Sequence, residues 1–171
     1  MAIELFFQRF VELVSAPFNN PEMVWITLPL VITLIMIELY FGKYKSEKMG
    51  WNTALTNALV LVFVALNLFQ FIFRQEGEML FKIFYVPSFY IALTILLLGV
   101  LLFIIDFLHL IPEGLAFIIS AHLPINITAY IAIVLVYTTI PLDLATILAW
   151  LLLILILGVF FFLVKLTLPK K

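Results

Sequence analysis

From Ile3 to Val14 the polar residues Glu4, Gln8, Arg9 and Glu12 recur about every four positions, leaving Leu5, Phe6, Phe10, Leu13 and Val14 largely on the other side. That spacing predicts an amphipathic helix over residues 1–18, lying in a membrane interface. Glu4 stands where a signal peptide carries cations, so the segment is expected to be retained. Asn19-Asn20-Pro21-Glu22 reads as a helix start: an Asn to cap free amides, Pro in the first turn, and an acid at the positive end of the dipole. Five long apolar runs follow, at 22–41, 52–73, 87–111, 124–140 and 142–165. Roughly 20 such residues cross about 30 Å of hydrocarbon as a helix. The pattern therefore predicts an all-α integral membrane protein of five transmembrane helices in a single membrane domain, residues 1–171.

The breaks between runs carry their own information. Gly42 to Gly50 is the most polar stretch, with Lys43, Lys45 and Lys48 between two glycines, and reads as a short loop. Arg74 to Glu78 closes the second run, and Met79 to Tyr85 is expected to skim the interface. Pro29 inside the first run removes an amide donor and is expected to kink it. Only eleven residues separate Pro112 from Pro124, which as helix cover roughly 17 Å. That stretch is either a short interfacial or re-entrant half-helix between spans three and four, or an extension of span four kinked at Pro124. With five spans, Lys43, Lys45, Lys48, Lys165, Lys170 and Lys171 fall on one side and Arg9, Arg74 and Lys82 on the other. The positive-inside rule then places the N-terminus outside and the C-terminus in the cytoplasm. No inverted repeat relates the two halves.

Composition strengthens this picture and removes several alternatives. Apolar residues make up 66%, charged residues 11%, and the mean hydropathy is +1.28, so lipid rather than water is the expected solvent. A net charge of −1 with scattered cations offers no surface for nucleic-acid phosphates. The absence of cysteine excludes disulfides, thiolate metal sites and c-type haem attachment. No phosphate loop, nucleophile triad or other cofactor signature is visible, so no cofactor is expected.

Ionisable groups at membrane depth are the default functional candidates. Asp106 and His109 are three residues apart on span three and share a face, with Ser88 and Gly99 close to the direction of Asp106. A chain folded back at Pro112 would add Glu113 and His122, giving Asp106, His109, Glu113 and His122 as candidate ligands for zinc or iron. Asp106 lies five residues from the end of its span, so the plainer reading is interfacial polar groups that pair with one another. On span two, Thr53, Asn57 and Asn67 fall within about 40° of one another, forming a polar stripe that is either helix–helix glue or the lining of an aqueous path. Glu38 lies about one turn from the end of span one on the face of Thr27, where the loop lysines can neutralise it. Glu113 and Asp143 each follow a proline at a helix start, and dipole stabilisation accounts for them. Asn126-Ile127-Thr128 fits a glycosylation tripeptide, but its span start falls on the cytoplasmic side. Ala145 and Ala149 have the spacing of close helix packing.

Three functions fit these residues. The first is a non-enzymatic structural or assembly subunit, partnered by the bilayer and by copies of itself or other membrane subunits. The second is a small-cation or proton channel or transporter using Asn57 with Glu38 or Asp106. The third is a membrane metalloenzyme on the Asp106, His109, Glu113 and His122 set.

Overall fold

A computed structural model describes residues 2–44, 46–47, 49–76 and 83–168 of the chain. They form seven helices and no strand: α1 (Ala2–Asn19), α2 (Pro21–Lys43), α3 (Trp51–Glu76), α4 (Pro87–Leu108), α5 (Glu113–Ile119), α6 (His122–Tyr137) and α7 (Leu144–Thr167). Five stretches are long and apolar enough to cross a membrane: α2, α3, α4, α5 with α6, and α7. This is consistent with a multi-pass membrane protein. The expected passage of Met79 to Lys82 along an interface lies outside the described residues.

Punctuation residues account for the helix ends. Asn20 does not cap α2; its side chain donates back to the Ala16 carbonyl at 3.1 Å, so it closes α1 while Pro21 opens α2. α2 runs unbroken through Pro29. α4 stops at Leu108, earlier than the apolar pattern suggests, because His109 adopts the left-handed conformation with φ 53° and ψ 44°. The Leu110 amide then reaches the Ile105 carbonyl at 3.0 Å, as in a Schellman ending. α7 opens on Asp143, whose Oδ1 accepts from the Thr146 amide at 2.8 Å, which bears out the dipole reading of that residue.

The segment after Pro112 is a separate short helix, α5. The chain breaks again at Ser120-Ala121, and Pro124 falls in the first turn of α6, where no amide donor is needed. Pro124 is therefore not itself a kink; the regular helix α6 runs from His122 to Tyr137, and the stretch long enough to cross a membrane, Glu113–Tyr137, includes α5 with the break at Ser120-Ala121.

α6 is the central helix. Every residue from Ile131 to Val136 is buried, and α1, α2, α3, α4 and α7 all pack against it. α3 and α4 form the most intimate pair, antiparallel, with Ala92, Ile95, Gly99, Leu102 and Asp106 on the buried face of α4. A Cβ on Gly99 would stand 3.0 Å from the Val62 backbone nitrogen, so glycine sets how closely these helices approach. The outward faces carry Leu97, Leu101, Phe107, Leu151, Leu155 and Phe162, all exposed, as expected of a bundle whose surroundings are apolar.

α1 is held by the bundle itself. Leu13 and Ala16 are buried, Phe6 and Phe10 pack on the core, and the Leu13 carbonyl accepts from the Tyr130 hydroxyl at 2.7 Å. Arg9 joins Glu12 at 2.8 Å and Asp143 at 3.2 Å, tying α1 to the start of α7. The Thr146 amide, and then Arg9, hold the Asp143 carboxyl below its ordinary value of 3.8. The Arg9 guanidinium does the same for Glu12, ordinarily 4.5. Because both values are depressed in the folded state, their contribution is complete above the ordinary carboxyl range and fades as pH falls through the folded values. Protease access to the α1–α2 junction is therefore expected to stay constant from pH 8 to about 5 and to rise only below about pH 4; in Arg9→Gln that acid step should shrink.

Candidate polar path

The four candidate metal ligands do not gather. Among the described residues no group of three or more His, Asp and Glu side chains is placed to hold a metal ion. His109 is exposed and packs on Trp51, with ring centroids 4.0 Å apart and planes tilted by 42°, as the terminator of α4. Glu113 is exposed in the first turn of α5. Asp106 and His122 are buried, at 1% and 7% exposure, but each faces a different partner.

Those partners form a connected cluster between α3, α4 and the α5–α6 break. Ser120 Oγ donates to Asp106 Oδ2 at 2.7 Å, and Asn57 Nδ2 donates to the Ser120 carbonyl at 2.7 Å. Asn57 Oδ1 lies 2.9 Å from His122 Nδ1. Two buried atoms of the cluster, Asp106 Oδ1 and His122 Nε2, have no hydrogen-bond partner. Polar side chains in an apolar interior are normally fully paired, so these two atoms mark the cluster as a candidate site, while its bonds also join α3, α4 and the α5–α6 break. Ser120 carried no signal in the sequence beyond its place two residues before a histidine.

The cluster adjoins the end of the bundle that carries Lys43 and Lys165. The Phe41 ring packs against His122, with centroids 5.5 Å apart. One turn earlier, Glu38 is 8% exposed and ion-paired with Lys165 of α7. Glu38 therefore takes its cation from the last turn of α7 and not, as its position in the chain suggests, from Lys43; Lys45 and Lys48 lie outside the described residues. Gly42 permits this, since a Cβ there would stand 2.9 Å from Lys165 Cγ and 2.8 Å from Leu168 Cδ1.

At the opposite end a cavity of about 680 Å³ opens between α2 and α3, floored by α6. Glu22, Arg74 and Tyr137 stand around its mouth, and Thr33, Asn67, Gln70 and Asn126 line it further in. Pro29 in the α2 wall also deprives the Trp25 carbonyl of its usual helical donor. The α3 stripe thus divides. Asn57 bonds across helices, Asn67 is exposed to the cavity and donates only to its own Phe63 carbonyl at 2.9 Å, and Thr53 is half-buried with no part in either arrangement. Asn67 is consequently not helix–helix glue among the described contacts.

Asn126 links the two ends. It lines the cavity, and its Nδ2 donates to the His122 carbonyl at 2.8 Å. The chain matches no family model, no curated protein and no solved structure. Its chemistry has to be read from this arrangement. Along α3 polar side chains stand at Asn67, Gln70 and Arg74 and recur at Asn57 after nine apolar residues, and along α2 at Glu22, Thr27, Thr33 and Glu38; the ends of each set lie roughly 24–26 Å apart at 1.5 Å per residue. That is most of a hydrocarbon thickness of about 30 Å.

Proposed function

We propose that the protein is a multi-pass membrane protein that moves protons or small cations across the bilayer. Its N-terminus lies outside, its lysine end faces the cytoplasm, and α1 rests in the outer interface. The cavity between α2 and α3 serves as the outer vestibule, the Asn57, Asp106, Ser120 and His122 cluster as the selective site, and the Glu38–Lys165 pair as the cytoplasmic exit. The observation carrying this reading is Asn126, which belongs to the vestibule wall and also bonds the first turn that holds His122. Thr33, Asn67 and Asn126 bond only within their own helices, and Gln70 is exposed, so these side chains keep hydrogen-bonding capacity for water along the cavity, as a hydrated path requires.

Purified protein in liposomes, under a potassium-valinomycin potential, should pass protons or a monovalent cation. Asp106→Asn keeps an acceptor for the Ser120 hydroxyl while removing the charge, and should cut that flux at least tenfold without changing oligomer size. Asn67→Leu, which blocks the vestibule, should do the same. Wild-type flux in both variants would remove the proposal.

A second reading, a non-enzymatic subunit of a membrane assembly or homo-oligomer, is favoured by the cavity's sideways opening. Trp25 and Phe63 flank it and are 82% and 60% exposed, a surface that a neighbouring helix would cover. Native mass spectrometry of gently extracted protein is expected to show a homo-oligomer if copies complete the path, and a hetero-complex if the subunit reading is right.

A further inference from the structure

The cluster around His122 limits what it can carry, because the bonds made by Asn57 fix the state of the imidazole. Asn57 uses Nδ2 as the donor to the Ser120 carbonyl, which leaves Oδ1, an acceptor only, facing His122 Nδ1 at 2.9 Å. Nδ1 must therefore bear the hydrogen. In the neutral ring Nε2 is then a bare lone pair, buried and without a partner. We infer that His122 Nε2 is the proton-binding atom of the path, and that the translocated ion is H⁺ rather than an alkali cation.

This deepens the translocation reading and rests on it. Imidazole nitrogen is a good base for a proton and a poor ligand for hard monovalent cations, which favour oxygen. Binding adds one proton to the Nε2 lone pair and converts imidazole to imidazolium; Nδ1–H stays on Asn57. The proton must then leave from the atom it entered, so His122 acts as a carrier and not as a wire through both nitrogens.

Among the helices packed on α6, the charged groups near this ring are Glu38 of α2 and Lys165 of α7, which are ion-paired with each other. Asp106 of α4 reaches it through Ser120 and Asn57, α3 contributes neutral Asn57, and Arg9 and Glu12 of α1 belong to the opposite end.

The variant that tests this is His122→Asn, whose amide can keep the donor to Asn57 but has nothing at the position of Nε2. Liposomes carrying the full chain are assayed with an internal pH dye, and in parallel with Na⁺ and K⁺ indicators. The expected result is proton uptake in the wild type, no Na⁺ or K⁺ signal, and at least a tenfold loss of proton uptake in His122→Asn at unchanged thermal stability. Na⁺ or K⁺ flux without proton flux, or unaltered proton flux in His122→Asn, would overturn the assignment of H⁺ to His122 and leave translocation standing. No flux of any ion would overturn both. Nitrogen-15 NMR of histidine-labelled protein, with His109→Gln to assign the remaining ring, reads the tautomer without any transport. Protonated Nδ1 with unprotonated Nε2 at neutral pH is expected, and the reverse would overturn the inference even if the transport variant failed to fold.

Discussion

Gly99→Leu is expected to separate α3 from α4 and abolish the folded bundle. Even the first added carbon meets the Leu61 Cβ, the Val62 Cγ2 and the Val62 backbone nitrogen at 3.0 Å each. A side chain can rotate away from such a contact, but a backbone nitrogen inside a helix cannot. Overpacking of this kind costs about 1–3 kcal/mol for small additions. Gly99→Ala recovers about 1 kcal/mol of helix propensity, so its net loss should be small, about 0–2 kcal/mol. Leucine adds three more carbons against the same wall, and a loss of about 3 kcal/mol or more is expected. Gly158→Ala is the control: its Cβ would meet only Leu123 Cδ2, at an ordinary 3.5 Å. Thermal scans in detergent should place Gly158→Ala at or slightly above wild type, Gly99→Ala below Gly158→Ala, and Gly99→Leu lowest or aggregated. Equal midpoints for all four would mean that α3 and α4 are not held at the separation described.

The long apolar runs and their proline and glycine punctuation made the five spanning-length helices legible, because runs of that length have no competing solution in an apolar solvent. What the chain could not disclose was pairing across helices. Glu38 was visible as an acid near a helix end, but its cation comes from Lys165, more than a hundred positions away, and no local pattern connects them. The approach depends on Gly42, whose role is apparent only once α7 is packed against it. His109 looked like a ligand from its spacing to Asp106, yet it is a left-handed helix end, a position more often filled by glycine, so composition gave no warning. Asn126 was set aside as a glycosylation tripeptide, and its place as the joint between cavity and cluster became evident only from its bond to the next turn. The polar stripe of α3 was correctly seen as one feature of the helix surface. Its two asparagines nevertheless serve different neighbours, because helical phase specifies direction and not what lies in that direction.

That division yields the sharpest contrast available in this molecule, since one substitution made twice on the same helix should give opposite results. Asn57→Leu removes the donor to the Ser120 carbonyl and the acceptor for His122 Nδ1–H, and it does so at a site only 4% exposed. Each buried polar group left unpaired costs about 1–3 kcal/mol, and interhelical bonds in membranes fall toward the lower part of that range. A loss of about 2–4 kcal/mol is therefore expected, with α5 loosened and the edge-to-face contact of Trp51 with Phe117 disturbed, because Ser120 ends α5. Asn67→Leu breaks only a bond to its own helix and places an apolar side chain in the cavity, so its midpoint should stay within about 0.5 kcal/mol of wild type. Tryptophan fluorescence during denaturation measures both. If Asn57→Leu proves as stable as Asn67→Leu, the Asn57 bonds do not organise the His122 site. If the difference appears and only Asn67→Leu remains folded with its flux lost, the two asparagines are separated as support and passage, and the polar groups of α3 cannot all be attributed to helix association.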